Sequence, residues 1–354
     1  MQKELFDGNL NLNQELGWHD IRTIFLNPCK VLILTHKNPD GDAVGSALGL
    51  KWILQQLGHS VDVVIPDDSP LFLKWLPGHN EICVHDRKSG GHIIPQLFTD
   101  CDLIICSDFN APERLGSVEP LFRQCTKPSL LIDHHPVSES FTKLQLVDSS
   151  KGSTSELIFL LFQKLQFLEY VGVEAATCLL AGIMTDTVGL KVSCSYPEIF
   201  ETVAALMRLG ADKDRIYYEI YNMFSADRMR LLGYSLDQNM KVLPEFRTAY
   251  IALTISKLNS YRHKKGDTEG FVNYPLSIAG IVFSVLFTEQ SDHIKLSLRS
   301  RGSFPANEFA QKYFNGGGHK NAAGGKFSGT MKEAIDRLES VLDEYRELLH
   351  ADQN

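Results

Sequence analysis

From Val31 onward, short apolar runs alternate with helical stretches: VLILT, then AVGSALGLKWILQQLG, then VDVVI, and later LIICSD and SLLID. Runs this short suit strands buried on both faces, and the stretches between them suit crossover helices, so the rhythm predicts a parallel α/β sheet. In the first helix Ala47, Leu50, Ile53, Leu54 and Leu57 form one apolar stripe, and Gly58 stands where a left-handed cap is favoured. A second helix is expected from Ser153, with Glu156 three residues on completing a capping box, and a third over VEAATCLLAGIMTD.

Between about Val192 and Leu236 the chain turns helical and amphipathic, which suggests a connector. Strand-like runs follow (TAYIALTI, IAGIVFSVLF, IKLSLRS), then a short helix, PANEFAQKYF, and a glycine-rich turn. A last helix places Met331, Ile335, Leu338, Leu342, Tyr345 and Leu349 on one face. The expected architecture is α/β with two domains: residues 1–191 with the parallel sheet, a connector over 192–236, and a smaller α/β domain over 237–350, with a cleft between the domains. At 354 residues and 44% hydrophobic content, each half can bury a core.

A net charge of -8 argues against a protein that tracks along long nucleic acid. A small anionic ligand is compatible with it, because bound metal ions can supply local positive charge. No basic start with an apolar core opens the chain, and no apolar run reaches the roughly 18 to 20 residues of a membrane span, so a cytoplasmic location without membrane contact is expected. Seven cysteines without a CxxC pair read as buried free thiols.

The chemistry concentrates where apolar runs end. VLILT is followed by HKNPDGD, and in an open parallel sheet ligands bind beyond the carboxyl ends of the strands. A turn forced by Pro39 and Gly41 can direct His36 and Asp40 to one ion while Asp42 faces a neighbouring one. Within this fragment alone, Asp40 and Asp42 could equally cap the next helix. LIICSD ends in Asp108, SLLID runs into Asp133, His134 and His135, and GIMTD ends in Asp186. Hard oxygen donors mixed with imidazole suit manganese or similar divalent ions. With Asp108 as a bridge, two ions about 3.5 to 4 Å apart could be held, the arrangement that cleaves phosphate esters.

HKNPDGDAVGS, SDFN, LIDHHP and GIMTD, in this order and spacing, resemble the four motifs of the DHH phosphoesterase family, and NGGGHKNAAGG resembles the glycine-rich signature of the DHH-associated C-terminal domain. The length and the stretch DTEGFVNYPLSIAG look most like the bacterial branch of nanoRNases and pAp phosphatases, the bifunctional oligoribonucleases and PAP phosphatases. The resemblance implies two Mn2+ ions, other divalent ions being admissible: His36 and Asp40 on one, Asp42, His134 and Asp186 on the other, and Asp108 bridging. It implies that Asp133 orients a neighbouring histidine and that His135 joins Asp108 at the reacting centre, contacting the scissile phosphate or a water. After Asp186 the sequence departs from the family: TDTVGL replaces TDTG followed by an aromatic, which puts the packing of that loop in question.

For the smaller domain, the glycines Gly316, Gly317 and Gly318 let amides approach an anion, His319 adds a donor, and Arg299 offers a planar fork for phosphate. Arg262, His263, Lys264 and Lys265 could add phosphate contacts or form a solvated loop, and Phe271 and Tyr274 could stack a base or belong to the core. The implied activity is hydrolysis of short oligoribonucleotides to mononucleotides, together with 3′-phosphoadenosine 5′-phosphate to AMP, by a soluble enzyme that could form a homodimer. The alternative is a phosphodiesterase for cyclic dinucleotides or their linear products pApA and pGpG, and a more remote one is a nucleotide-binding protein without catalysis.

Overall fold

The computed structural model describes residues 18–86, 90–136, 139–264 and 266–351. The chain divides into two compact units, Met1–Met223 and Phe224–Asn354.

The first unit contains α1 (Trp18–Leu26), β1 (Lys30–Leu34), α2 (Gly41–Gln56), β2 (Ser60–Ile65), β3 (Cys83–Val84), α3 (Gly90–Asp100), β4 (Leu103–Ser107), α4 (Glu119–Gln124), β5 (Ser129–Asp133) and β6 (Leu144–Val147). These are followed by α5 (Thr154–Lys164), α6 (Val173–Asp186), α7 (Pro197–Arg208) and α8 (Lys213–Tyr221). Its six strands pair in parallel in the order β3-β2-β1-β4-β5-β6. Alternate residues of β1 serve two cores: Val31 and Ile33 join the core that also holds residues of α2, α5 and α6, while Leu32 and Leu34 join the one beside α3. Strand order reverses between β1 and β4, and such a reversal opens a crevice at the carboxyl ends of the strands.

Helix α2 is buried on almost every side, thirteen of its sixteen residues, rather than along a single stripe. The cause is its close, antiparallel approach to α6. A Cβ on Gly45 would stand 2.6 Å from the Cys178 carbonyl oxygen and 2.9 Å from the Gly182 nitrogen, and a Cβ on Gly182 would strike the Ser155 hydroxyl. This contact sets the N-terminus of α2, with Asp42, beside the C-terminus of α6, with Asp186. Ser153 caps α5 as expected, accepting from the Glu156 N–H at 3.0 Å. The capping box is incomplete, because the Glu156 carboxylate reaches past the cap to the Gly152 N–H (2.9 Å) and the Tyr196 hydroxyl.

The stretch read as a connector divides between the units: α7 and α8 bury Ile199, Leu206 and Ile216 in the first, whereas α9 (Ala226–Asp237) buries Leu231 and Leu232 in the second. The second unit continues with β7 (Met240–Leu243), β8 (Thr248–Leu253), α10 (Ile255–Ser260), β9 (Phe283–Glu289), β10 (Ile294–Ser300), α11 (Ala306–Phe314), β11 (Gly317–His319), β12 (Ala322–Phe327), α12 (Met331–Val341) and α13 (Arg346–His350). Its sheet runs β11-β12-β10-β9-β8-β7, antiparallel except for β8 beside β9. The expected glycine-rich turn is therefore an edge strand over Gly317–His319. The expected final helix is interrupted by a 3-10 turn over Leu342–Tyr345. All seven cysteines are free, but Cys29, Cys83 and Cys125 are only half-buried. Among the described residues no helix is long and apolar enough to cross a membrane.

Gly45→Ala should lower stability by about 1–3 kcal/mol through overpacking, although alanine is the better helix former. Gly233→Ala, in α9 where a Cβ meets nothing within 4 Å, should raise it by about 0.5–1 kcal/mol. Thermal unfolding of both variants checks the pair, and a neutral Gly45→Ala would show that the α2 and α6 contact is looser than described.

Candidate metal centre

All eight residues expected at the strand and helix ends of the first unit lie on its β1, β4 and β5 edge or the adjoining helix termini. His36 follows β1, Asp108 follows β4, Asp133 closes β5 with His134 and His135 beyond it, and Asp186 ends α6. Six of them form two triads whose ligand atoms lie within 4.8 Å of one another, His36, Asp40 and Asp108, and Asp42, His134 and Asp186, while Asp133 and His135 form a further group of the same kind with Asp108.

In the first triad His36 Nε2 stands 3.5 Å from Asp108 Oδ2 and 3.8 Å from Asp40 Oδ2. In the second, His134 Nε2 stands 3.1 Å from Asp186 Oδ2 and 4.0 Å from Asp42 Oδ2, and it is also 3.7 Å from Asp108 Oδ1. Asp108 therefore offers one carboxylate oxygen to each triad. The other ring nitrogens fix the tautomers. His36 Nδ1 lies 2.8 Å from the Lys37 carbonyl and His134 Nδ1 3.2 Å from that of Lys151. A carbonyl only accepts, so Nδ1 carries the hydrogen and the lone pair of Nε2 is left for the cluster, the disposition of a metal-ligating imidazole.

Whether Asp40 caps α2 or faces the cluster resolves in favour of both. Its Oδ1 accepts from the Asp42 and Ala43 N–H groups at 3.1 and 3.0 Å, while Oδ2 faces His36. The histidine that Asp133 contacts is His135, whose Nδ1 lies 2.7 Å from Asp133 Oδ1. Donor chemistry and spacing fit hard divalent cations: imidazole and carboxylate only, without thiolate.

Two backbone features hold the edge. Asp108 has φ +67, a left-handed conformation uncommon for a side-chain-bearing residue, with its N–H bonded to the Ile132 carbonyl at 3.0 Å. Such conformations cost about 1–3 kcal/mol and cluster at functional sites. In the departing TDTVGL loop, Val188, Gly189 and Leu190 are left-handed in succession. The backbone at position 188 is one that glycine favours, and here a β-branched residue adopts it.

The main contribution hidden from the sequence is the first turn of α5. The Thr154 N–H donates to Asp42 Oδ2 at 2.6 Å, the Ser155 N–H to Asp42 Oδ1 at 3.0 Å, and the Thr154 hydroxyl to Asp108 Oδ1 at 2.9 Å. The Ser-Thr-Ser run at a helix start beyond β6 was the available signal.

In the second unit, Arg299 on β10 pairs with Ala322 on β12, which pairs with His319 on β11. Directly paired residues project to the same face, so Arg299 and His319 flank a single methyl group. Gly316 is required by packing, since a Cβ there would strike the Gly324 carbonyl, and Gly318 by its φ of +139. A Cβ on Gly317 would meet nothing within 4 Å. Phe271 is fully buried and belongs to the core, while Tyr274 is exposed. Arg262 is exposed and 3.6 Å from Asp227, His263 is half-buried, Lys264 is exposed, and Lys265 lies outside the described residues.

Residues 30–183 match the DHH family N-terminal domain and residues 248–350 the DHHA1 domain. The chain is 31% identical to the bifunctional oligoribonuclease and PAP phosphatase of Thermus thermophilus, over 89% of this chain and 90% of that protein. It is 28% identical to a cyclic-di-AMP phosphodiesterase of Listeria monocytogenes, over 89% of this chain and 48% of that protein. The crystal structure of an exopolyphosphatase-related protein from Bacteroides fragilis superposes with a TM-score of 0.89 at 39% identity, covering 95% of this chain and 99% of that one.

Burial, and then the charges of Asp42 and Asp40, push the Asp108 carboxyl far above the usual carboxylate range. Burial likewise raises Asp42, and burial with the Asp42 charge pushes Asp186 up to about 6. Burial opposes the charge on His134, but the bond to Asp186 and the surrounding carboxylates outweigh it and raise its pKa. Each of these groups holds its proton more tightly in the folded chain than in the unfolded one. For the three carboxylates that stabilisation is complete below the ordinary carboxylate pKa of about 4, for His134 below the ordinary imidazole pKa of about 6.5, and each is lost as pH rises through the folded value. Metal-free protein should therefore lose thermal stability as pH rises from about 4 through about 6, and a divalent cation added at neutral pH should restore it. A metal-free unfolding temperature that climbs across this window would contradict the electrostatics described.

Proposed function

The chain belongs to the DHH family, and on that premise we propose that it is a manganese-dependent phosphoesterase that hydrolyses short oligoribonucleotides to mononucleotides and 3′-phosphoadenosine 5′-phosphate to AMP. The observation that supports this is the pair of triads, with Asp108 a member of the first through Oδ2 and 3.7 Å from His134 of the second through Oδ1. One ion would be held by His36, Asp40 and Asp108, the other by Asp42, Asp108, His134 and Asp186. When bound, such a pair supplies Lewis acidity at the phosphoryl oxygens and makes water more acidic.

The chain's own groups would do the rest. Asp133 holds His135 through Nδ1, and His135 would contact the scissile phosphate or a water beside it. The Lys37 and Lys151 carbonyls keep His36 and His134 in the tautomer that presents Nε2 to the cluster. Arg299 and His319, with the open backbone at Gly317, would bind a substrate phosphate. A second reading, cleavage of cyclic dinucleotides, is supported by the Listeria relative.

Purified protein with Mn2+ should convert pApA and pGpG to mononucleotides and pAp to AMP, with products separated by chromatography. Absence of mononucleotide from both linear dinucleotides would overturn the proposal, and cleavage confined to a cyclic dinucleotide would select the second reading. Asp108→Asn, which tolerates the left-handed backbone, should keep the fold by circular dichroism and lower kcat/KM by more than about 100-fold. Loss of a partner one shell further out already costs roughly 10–100-fold.

A further inference from the structure

The first turn of α5 is more than a helix start. Ser153 fills the capping role, so neither the hydroxyl nor the N–H of Thr154 is needed to cap the helix. Both are instead directed at the carboxylate cluster, the N–H at Asp42 Oδ2 and the hydroxyl at Asp108 Oδ1. Thr154 is completely buried, so no water competes for either bond.

Among the described residues Asp108 is the carboxylate that approaches both His36 and His134, and its usefulness there depends on the plane of the carboxylate. Oδ2 lies 3.5 Å from His36 Nε2, while Oδ1 lies 3.7 Å from His134 Nε2 and 3.8 Å from His135 Nδ1. Rotation about the Cβ–Cγ bond would turn both oxygens away at once. The terminal torsion of an aspartate is broad and weakly held by intrinsic preference, so an external contact must fix it. A hydroxyl hydrogen bond on Oδ1 does so while using only one of that oxygen's lone pairs.

We infer that Thr154 is a positioning residue that fixes the carboxylate plane of Asp108 and thereby lets one side chain serve two cation sites. This rests on the proposed two-cation function. Thr154→Val keeps the shape of the side chain and removes the hydroxyl. Thr154→Ser keeps the hydroxyl and removes the methyl.

The test is calorimetric titration of the metal-free proteins with Mn2+, alongside circular dichroism of each. Wild type is expected to take up two ions. Thr154→Val, with an unchanged circular dichroism spectrum, is expected to bind about 10–100-fold more weakly, and Thr154→Ser to stay within about threefold of wild type. Equal affinities for wild type and Thr154→Val would overturn the inference, and so would equal weakening of the valine and serine variants, which would mean that the methyl packing matters and the hydroxyl does not. Should Thr154→Val fail to fold, Thr154→Ala compared with Thr154→Ser decides in the same way. Wild type that takes up no Mn2+ would instead remove the underlying function proposal, an outcome distinct from the others.

Discussion

Mutual repulsion among Asp42, Asp108 and Asp186, held together at a largely buried edge, is the constraint that the first unit is built around. Buried like charges a few ångströms apart are tolerated only when protonated, hydrogen-bonded or matched by a cation. The fold supplies part of that compensation as backbone donors. The first turn of α2 satisfies Asp40, and the first turn of α5 satisfies Asp42. Helix N-termini stabilise anions through their free N–H groups and dipole, so two such ends at one sheet edge offset charge, and Arg114 adds to this at Asp40.

The supporting structure follows from that requirement. Asp42 and Asp186 can share a histidine only because α2 and α6 approach at Gly45 and Gly182, where no side chain intervenes. Asp108 reaches both triads from a left-handed backbone that its neighbours hold in place. Behind these lies a second layer: Tyr196 and the Gly152 N–H hold the buried Glu156 carboxylate, anchoring the segment whose Lys151 carbonyl orients His134. Packing and chemistry are thus coupled through short stretches of backbone.

Much of this was legible in the sequence because candidate ligands at strand ends announce themselves by residue type. His36, Asp108 and His134 each follow an apolar run, and the order of runs implied the parallel sheet that gathers them. What stayed hidden was carried by groups that every residue possesses. The Lys37 and Lys151 carbonyls have no signature in a string of letters, and the Thr154 and Ser155 N–H groups are signalled only by the Ser-Thr-Ser run that opens α5. The Gly316 to Gly318 run suggested a turn, since glycine is commonest there, yet these residues allow an edge strand to lie against Ala322 and Gly324. Likewise Glu156 had the spacing of a capping box, but Tyr196, forty residues away, offers its carboxylate a better partner.

On the reading proposed above, one carboxylate, Asp108, joins two cation sites at the β1, β4 and β5 edge. Anomalous diffraction from crystals grown with Mn2+ tests it directly. Two peaks about 3.5–4 Å apart are expected, one bounded by His36 and Asp40, the other by Asp42, His134 and Asp186, with an Asp108 oxygen beside each. A single peak, or two peaks with Asp108 touching only one, would contradict it.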